Sequence, residues 1–239
     1  MRKNKEYFET YFDNYSPEEG NEWGINWRMS QIKRMENAAK LLTPALKKKE
    51  LSVLEAGCAT GDMTKVILNK INSLKCYDAF DISEKAIRIC KASGMNQVNW
   101  ITCGFNEMDF DTDKYDLIMC CEAIYYLPFY EQKECIKKLY SYLKKGGHLF
   151  ISMNYVEYNK NFDTLLSDFG QKKIAYNKTW LWTRIEAKLY RYYKSTDIKI
   201  FKKILRMIIS NRKLMEIFYN INERFLPDKY QHIFFMLKK

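Results

Sequence analysis

The sequence predicts an α/β fold with a mostly parallel sheet, and three observations support this prediction. An apolar run at residues 51–54 is followed by a turn of small residues and then by a helical pattern from Asp62. Further strand-like apolar runs alternate with helical patterns along the chain. The 239 residues, 47% of them hydrophobic, suffice for one domain with a substantial core. A strand, a small-residue loop and a helix in succession form the opening unit of nucleotide-binding α/β domains.

The loop after the first strand reads EAGCATGD from Glu55 to Asp62, with small residues at Gly57, Ala59 and Gly61. Small residues let a ligand lie against the backbone, where a larger side chain would collide with it. A dinucleotide loop has the spacing GxGxxG and holds a pyrophosphate, whereas here the sixth position is an acid. Two carboxylates beside the loop favour a ligand with an ammonium and a sulfonium group, as in S-adenosylmethionine (SAM). The alternative is a βα turn that binds no ligand.

This loop resembles motif I of the class I SAM-dependent methyltransferases, written E/DxGxGxG, with Ala59 in place of the middle glycine. The resemblance extends over residues 51–155 and points to the small-molecule, NodS-like branch. It implies a Rossmann-like sheet of seven strands, mostly parallel with an antiparallel last strand, and helices on both faces. The cofactor-binding residues that it implies in and beside the loop are Glu55, Ala56, Gly57, Cys58, Ala59, Gly61 and Asp62.

The second predicted strand, residues 75–82, ends at Asp81 and Ile82, and Asp81 lies 20 residues after Gly61. A carboxylate at this strand end can accept hydrogen bonds from both ribose hydroxyls of a nucleotide, and the family has an acid there. The alternative is an acid at the start of a helix, although Ser83 is the better N-cap for a helix over residues 84–93. Asp81 and Ile82 are therefore assigned to the cofactor site.

The third predicted strand, residues 97–103, leads to the adenine end of the site. The family has an acidic residue there that binds the adenine amino group, but this sequence has Gly104. The backbone amide of Phe105 and the side chain of Asn106 are predicted to contact adenine instead. A core position for Phe105 is the alternative.

The fourth predicted strand, residues 115–120, is a continuous apolar run of the kind that forms the centre of a parallel sheet. Ligands bind at the carboxyl ends of such strands, where Cys121, Glu122 and Tyr126 follow. The stretch YDLIMCCEAIYYL resembles that of NodS-like N-methyltransferases, in which the acid and tyrosines face SAM and the acceptor. Glu122 is predicted to contact SAM, steer a cationic amine or take a proton, with a loop cap as the alternative. Tyr126 is a second catalytic candidate, and Cys121 is a cofactor contact.

The first 46 residues are predicted to be helical, with one helix over residues 29–42 that ends before Pro44. In related methyltransferases an aromatic N-terminal helix folds over the SAM pocket as a lid. On this basis Tyr11 is a catalytic candidate and Tyr15 a cofactor contact, whereas packing of the aromatic face on the core is the alternative. The residues predicted to line the substrate entrance are Trp23 and Trp27.

Three further strands are predicted in the second half of the chain, at residues 148–154, 171–176 and 231–237. A helix that starts at Pro128 and ends at a Lys-Lys-Gly-Gly run precedes them, and the family implies that the last strand inserts antiparallel between the other two. His148 and His232 are predicted to be structural and to lie away from the site. The predicted domains are a lid (1–46), a SAM-binding core (47–177), a helical cap (178–229) and a last core strand (230–239).

The positive charge is concentrated in one segment. The chain carries a net charge of +11, and residues 172–213 hold 13 Lys or Arg against two acids, which is +11 by itself. The preferred interpretation is a cap of two or three helices whose apolar stripe packs on the core, and whose field attracts an anionic acceptor. A membrane-surface helix and an RNA-binding surface are weaker alternatives. The stripe consists of Ile198, Phe201, Ile204 or Leu205, Ile208 and Ile209.

Cysteine usage and hydropathy exclude several classes of protein. The seven cysteines include no CxxC pair and no His/Cys cluster, so no metal site is predicted. An odd number of cysteines without a secretory signal favours a reducing, cytoplasmic location. No apolar run reaches the roughly 20 residues of a membrane span.

These observations predict a SAM-dependent methyltransferase that acts on N or O of a small-molecule acceptor. A neutral amine needs no strong base, whereas a hydroxyl does. Because neither histidine is placed at the site, N-methylation is favoured. The alternatives are methylation of RNA or protein through the basic cap, and a non-catalytic SAM-binding partner subunit. The acceptor and the oligomeric state are not predicted.

Overall fold

The computed structural model describes residues 5–20, 23–158 and 160–239. The strands are β1 (Leu51–Ala56), β2 (Leu74–Asp81), β3 (Asn99–Thr102), β4 (Tyr115–Cys121), β5 (Leu143–Asn154), β6 (Gln171–Asn177) and β7 (His232–Lys238). They form a seven-stranded sheet in the order β3-β2-β1-β4-β5-β7-β6. Strand β7 is antiparallel to both of its neighbours, and the other pairs are parallel. The predicted Rossmann-like sheet is confirmed.

Helices cover both faces of this sheet. The described helices are α1 (Lys5–Glu9), α2 (Met29–Leu46), α3 (Asp62–Leu68), α4 (Glu84–Ala92), α5 (Phe129–Ser141), α6 (Lys160–Leu166), α7 (Trp180–Ser195), α8 (Lys199–Ile209) and α9 (Arg212–Phe225). Two short 3₁₀ turns lie at Thr10–Phe12 and Ile124–Tyr126. Among the described residues, no helix is both long and apolar enough to cross a bilayer.

Alternate residues of the central strands face opposite layers of helices. Val53 and Leu117 pack in one core with α2, α3 and α4, whereas Leu54 and Ile118 pack in another with α5 and α6. All four are fully buried, as expected for parallel strands covered on both faces. The carboxyl ends of β1, β2 and β4 therefore meet at one edge of a rigid sheet, together with the start of β7.

Two predicted helix ends differ from the structure. Helix α2 runs through Pro44 to Leu46, because Leu46 is buried in the core and a proline in the last turn removes only one helical hydrogen bond. Helix α5 ends at Ser141, and β5 begins before the glycine turn that was expected to precede it. Leu143 is fully buried and pairs with Tyr115, so this residue joins the sheet early.

The N-terminal segment is less helical than predicted. Helix α1 is short, and the described residues between it and α2 form a 3₁₀ turn at Thr10–Phe12 and a bridge between Ser16 and Gly20, with no further α-helix. Residues 1–4, 21 and 22, which belong to the predicted lid, lie outside the described residues. Helix α1 contacts α4, whereas α2 contacts α3, β5 and the cap helices α7 and α9.

The predicted cap, residues 178–229, contains three helices: α7 packs on α8 and α9, and α7 and α9 contact α2. Only part of the predicted apolar stripe is buried. Leu205 and Ile209 pack against Trp27 and Tyr193, whereas Ile198, Phe201 and Ile204 are exposed. The prediction that the whole stripe packs on the core is wrong, because only one edge of α8 packs against Trp27 and the neighbouring helix α7.

Candidate functional site

The loop between β1 and α3 forms a tight backbone cradle. Gly57, Ala59 and Gly61 have φ angles of +75°, +46° and +77°. A Cβ at Gly57 would lie 2.6 Å from the Cβ of Ala123, so a glycine is required there. The Gly57 N–H donates to the carbonyl of Phe80 over 2.8 Å, which fixes the loop to β2. The cradle leaves backbone rather than side chain facing the carboxyl edge of the sheet.

Asp81 lies at the end of β2 beside this cradle. Its carboxylate accepts the backbone N–H of Ala59 over 2.9 Å and that of Ser83 over 2.9 Å. Burial raises the pKa of Asp81, and the two hydrogen bonds oppose that rise. A carboxylate has about four lone-pair positions, so each oxygen can still accept a ligand hydroxyl. Ile82 follows it and lies near Gly104 of the neighbouring strand end.

The two carboxylates that flank the loop differ in exposure. Glu55 is buried beneath the loop and accepts hydrogen bonds from Thr64 over 2.7 Å and Tyr77 over 2.6 Å. Burial raises its pKa to about 7, against the effect of these hydrogen bonds. Asp62 is partly exposed at the first position of α3 and accepts a hydrogen bond from Thr60 over 2.5 Å. Burial also raises the pKa of Asp62.

The other predicted residues around the cradle are uncharged. Ala56 and Cys58 are buried, and Cys121 is partly exposed at the end of β4. Burial raises the pKa of both thiols well above its ordinary value. Both cysteines therefore stay neutral at physiological pH and act as small packing groups rather than nucleophiles.

A carboxylate that the sequence analysis did not identify lies after β3. The Gly104 N–H donates to the Glu107 carboxylate over 2.8 Å, which turns this side chain back toward the strand end. Phe105 packs edge-on against Phe80, with ring centroids 5.7 Å apart, and Asn106 is exposed. The sequence signal for this contact is an acid three residues after a glycine. At this spacing a side chain can accept a hydrogen bond from the backbone N–H of the earlier residue.

Glu122 is held in a polar cluster at the end of β4. Its backbone has a φ of +56°, and its carboxylate accepts hydrogen bonds from Ser152 over 2.8 Å and Tyr125 over 3.3 Å. The guanidinium of Arg34, on α2, lies 3.9 Å away. Burial raises the pKa of Glu122, and the positive charge of Arg34 opposes that rise.

Arg34 and His232 lie at this edge of the sheet, and the sequence analysis did not identify the first and placed the second elsewhere. Arg34 is buried although it is charged. Its position on the apolar side of α2 could have indicated a buried guanidinium from the sequence. His232 was expected away from the site, but β7 is antiparallel and therefore starts where β5 ends, opposite Asn154. His232 contacts Asn177 over 3.2 Å. Burial lowers its pKa well below the ordinary value, so the imidazole is neutral.

A layer of aromatic side chains covers this edge of the sheet. Tyr11 stacks on Trp23 with ring centroids 4.6 Å apart, and its hydroxyl lies 2.5 Å from that of Tyr7. Phe8 packs edge-on against Tyr126 at 5.0 Å. The aromatic layer thus links the N-terminal segment to the residues that follow β4.

The remaining aromatic candidates have different positions. Burial raises the pKa of Tyr15, and the charge of Asp62, at the first position of α3, adds to that rise. Trp27 is buried in the cap, where it packs against Tyr193 at 5.2 Å. The expectation that Trp27 lines an entrance is therefore wrong, because its indole forms part of the cap core.

Glu9 anchors the N-terminal segment beside the site. Its carboxylate accepts hydrogen bonds from the Ser83 hydroxyl over 2.9 Å and from the N–H groups of Glu84 over 2.8 Å and Lys85 over 3.2 Å. Burial opposes ionisation, but these hydrogen bonds outweigh it and lower the pKa of Glu9. A carboxylate at the start of α4 also interacts favourably with the helix dipole.

The site thus contains a backbone cradle, a carboxylate with free lone pairs and a carboxylate–guanidinium cluster under an aromatic cover. In the described part of the chain, no group of three or more His, Cys, Asp or Glu side chains could hold a metal ion. The arrangement fits a nucleoside with ribose hydroxyls and a positively charged tail.

Comparisons with known proteins agree with this geometry. Residues 30–201 match the model of a family described as a methyltransferase domain. A search of curated proteins found no match. The fold is similar to that of the N-methyltransferase NodS from Bradyrhizobium japonicum WM9, solved with S-adenosyl-L-homocysteine. The TM-score is 0.65 at 14% identity, over 98% of this chain and 97% of that one.

Two further solved structures have similar folds. The plantazolicin methyltransferase BpumL, solved with a desmethyl analogue of plantazolicin, has a TM-score of 0.55 at 17% identity, over 87% of this chain and 84% of that one. Phosphoethanolamine N-methyltransferase 2 of Haemonchus contortus has a TM-score of 0.55 at 13% identity, over 86% of this chain and 52% of that one. At these identities the likeness concerns the fold.

Proposed function

We propose that this chain, which belongs to the methyltransferase domain family and uses SAM, transfers the methyl group to a nitrogen or oxygen atom of a small-molecule acceptor. SAM supplies an electrophilic methyl group on a sulfonium sulphur. The acceptor lone pair forms the new bond to the methyl carbon while the carbon–sulphur bond breaks, and S-adenosylhomocysteine (SAH) is left. Alignment and exclusion of water account for much of the rate in such a displacement.

The cofactor-binding proposal follows the geometry of the cradle. The backbone of residues 57–61 would lie against the cofactor, and Asp81 would accept hydrogen bonds from the ribose hydroxyls. Asp62, which is partly exposed, would attract the ammonium group. At the adenine end, Glu107 supplies the carboxylate that Gly104 lacks, with Phe105 and Asn106 as further candidates.

The aromatic cover is the observation that carries the small-molecule proposal. Phe8 rests on Tyr126, Tyr11 stacks on Trp23, and Glu9 fixes this segment to α4. A site covered in this way encloses an acceptor of limited size. A polynucleotide or a folded protein would require the cover to be displaced.

Glu122 and the tyrosines are the candidates for orienting the acceptor. Ser152, Tyr125 and Arg34 hold Glu122 in one position, and we assign it the role of accepting a hydrogen bond from the attacking group. Tyr126 and Tyr11 would exclude water above it. Because burial lowers the pKa of His232 well below its ordinary value, its imidazole is a weak base, which favours an amine over a hydroxyl as acceptor. An anionic acceptor remains a prediction from the basic cap.

A labelling experiment tests this proposal. The enzyme is incubated with SAM labelled in its methyl group and with three fractions of a cell extract: small molecules, RNA and protein. Label is expected in the small-molecule fraction, and hydrolysis-resistant label on nitrogen would support an amine acceptor. Label in the RNA or protein fraction would contradict the proposal, and so would SAM binding without transfer to any fraction.

A further inference from the structure

The outer face of α8 is apolar and exposed to solvent. At about 100° per residue, four of its apolar side chains cover an arc of about 120°. Helices of globular proteins normally bury such a face, but here only the adjoining edge of the helix, at Leu205 and Ile209, is buried. The exposed fractions are 71% for Ile200, 42% for Phe201, 44% for Ile204 and 64% for Met207.

The polar side of the same helix carries only basic residues. Arg206 pairs with Glu19, and Lys202 lies over the ring of Tyr193, so these two cations face the protein. Lys199 and Lys203 are exposed. Within residues 5–20, 23–158 and 160–239, neither of these two lysines forms an ion pair with a carboxylate. Exposed aliphatic groups thus lie beside exposed cations on one short helix.

The next helix has a second exposed apolar stripe. Ile217, Ile221 and Phe225 follow one another at intervals of four residues on α9 and are exposed, so they share one side of that helix. This helix carries three basic residues against two acids, so the apolar stripe lies on a helix of low net charge. Two helices of the cap therefore expose apolar surface, and the purely basic polar side lies on α8.

The charge and the residue types decide which partner fits this surface. A second copy of the chain would bring together two surfaces of the same positive sign, because residues 172–213 alone carry +11. Single-stranded RNA would need aromatic side chains for base stacking, whereas this face of α8 is mainly Ile and Met. A partner with negative charge at its surface and an apolar layer beneath would match both the cations and the apolar side chains of α8. The surface of a membrane with anionic lipid has this combination.

We propose that α8 binds the surface of a membrane that contains anionic lipid. Ile200, Ile204 and Met207 enter the boundary between headgroups and acyl chains, while Lys199 and Lys203 remain at the level of the phosphates. Long lysine side chains can keep their charge in water while their stems cover apolar surface. Binding of this kind is peripheral and reversible, because one short helix enters only the interface.

Vesicle flotation with the full chain tests this proposal. Vesicles of phosphatidylcholine and phosphatidylglycerol in equal parts are compared with vesicles of phosphatidylcholine alone, in about 0.1 M NaCl. Binding to the anionic vesicles is expected to be at least about tenfold stronger. It should weaken in about 0.5 M NaCl without vanishing, because salt screens the charges but leaves the apolar contribution in place.

Two variants separate the apolar and the basic contributions. Ile200→Ser/Ile204→Ser/Met207→Ser should lower the partition coefficient by about tenfold or more. Lys199→Glu/Lys203→Glu should lower it by about 30-fold or more, because two attractive charges are lost and two repulsive ones are introduced. Val156→Ser/Tyr130→Ser removes exposed apolar groups elsewhere and should leave binding unchanged. Because the substituted side chains are exposed, all variants should retain the unfolding midpoint and the SAH affinity of the wild type.

Three results would overturn the proposal. The first is a wild-type chain that does not float with anionic vesicles. The second is a triple serine variant that floats as well as the wild type while single-stranded RNA displaces both, which would indicate a general polyanion site. The third is a wild-type dimer in sedimentation that the triple variant converts to a monomer without any effect on flotation, which would make this face a subunit interface.

Discussion

Asp81 combines two tasks at the level of a single residue, because it holds the loop and leaves lone pairs for a ligand. Both of its oxygens already accept backbone N–H groups. Replacement by Ala should weaken SAH binding about 10- to 100-fold, the range for losing hydrogen bonds to a charged group. Isothermal titration calorimetry measures this loss. Asp81→Asn, which keeps one acceptor oxygen, should give a smaller loss.

Asp109→Ala is the matched control for this prediction, because it removes an exposed acid from the loop that follows β3. Its SAH affinity should equal that of the wild type. Equal affinities of Asp81→Ala and the wild type would mean that the ribose is bound elsewhere.

Glu55 should make the stability of the protein depend on pH. Its pKa is raised from 4.5 to about 7 in the folded state. Between these values the folded protein holds a proton that the unfolded chain has lost, so the free energy of unfolding falls as pH rises. Glu55→Gln removes this dependence. In urea unfolding, the free energy of unfolding of the variant relative to that of the wild type should rise by up to about 3 kcal/mol between pH 5 and pH 8.

The exposed acid Glu107 provides the comparison for Glu55. Glu107→Gln makes the same chemical change at an exposed position, so it shows what the substitution of Glu by Gln does without burial. A Glu55→Gln curve parallel to that of the wild type would show that Glu55 ionises normally in the folded protein.

At the level of elements, the short helix α1 should depend on Glu9 for its position. The Glu9 carboxylate accepts three hydrogen bonds at the start of α4, and α1 has no buried residue of its own. Glu9→Ala should therefore speed amide exchange in residues 5–12 and weaken SAH binding several-fold. The global unfolding free energy should change by less than about 1 kcal/mol, since local and global opening are separate events.

Glu9→Gln is the graded variant, because its amide oxygen still accepts a hydrogen bond without the charge. It should lie between the wild type and Glu9→Ala in both exchange and affinity. If exchange in residues 5–12 stayed slow in Glu9→Ala, the aromatic contacts alone would hold the segment.

Strands such as β1 and β4 could be predicted because each is a largely apolar run that ends at a recognisable signal. Asp81 and Ser83 marked the end of β2 and the start of α4, and the observed N-cap at Ser83 confirms that boundary. The early start of β5 was not predictable, because Leu143 joins the sheet through its pairing with Tyr115 rather than through a local pattern.

The site was predictable only where local sequence determines it. The cradle at residues 57–61 carries its own backbone requirements, whereas Arg34 reaches Glu122 from an element 88 positions earlier in the chain. The position of His232 depends on strand direction, which a single strand does not encode. Distant pairings of this kind are set by tertiary packing.

For the molecule as a whole, the cap is tied to the core through a buried carboxylate. Glu186 of α7 has a fully buried side chain and accepts hydrogen bonds from Arg28 over 3.2 Å and from the Ser30 N–H over 3.1 Å. The Ser30 hydroxyl also donates to it. Trp182 and Met215 form a separate small core beside this contact. The cap thus shares a polar contact and an apolar one with the start of α2.

Glu186→Ala should lower the free energy of unfolding by about 3–5 kcal/mol, because it leaves the buried Arg28 guanidinium without its counter-charge. Glu216→Ala is the matched control. It also breaks a link between α2 and the cap, to Lys33, but the Glu216 side chain is 37% exposed, and exposed pairs contribute about 0–1 kcal/mol. Chemical denaturation measures both losses. Equal losses in the two variants would mean that the cap is held by its apolar contacts, and that the buried pair sets its orientation without stabilising it.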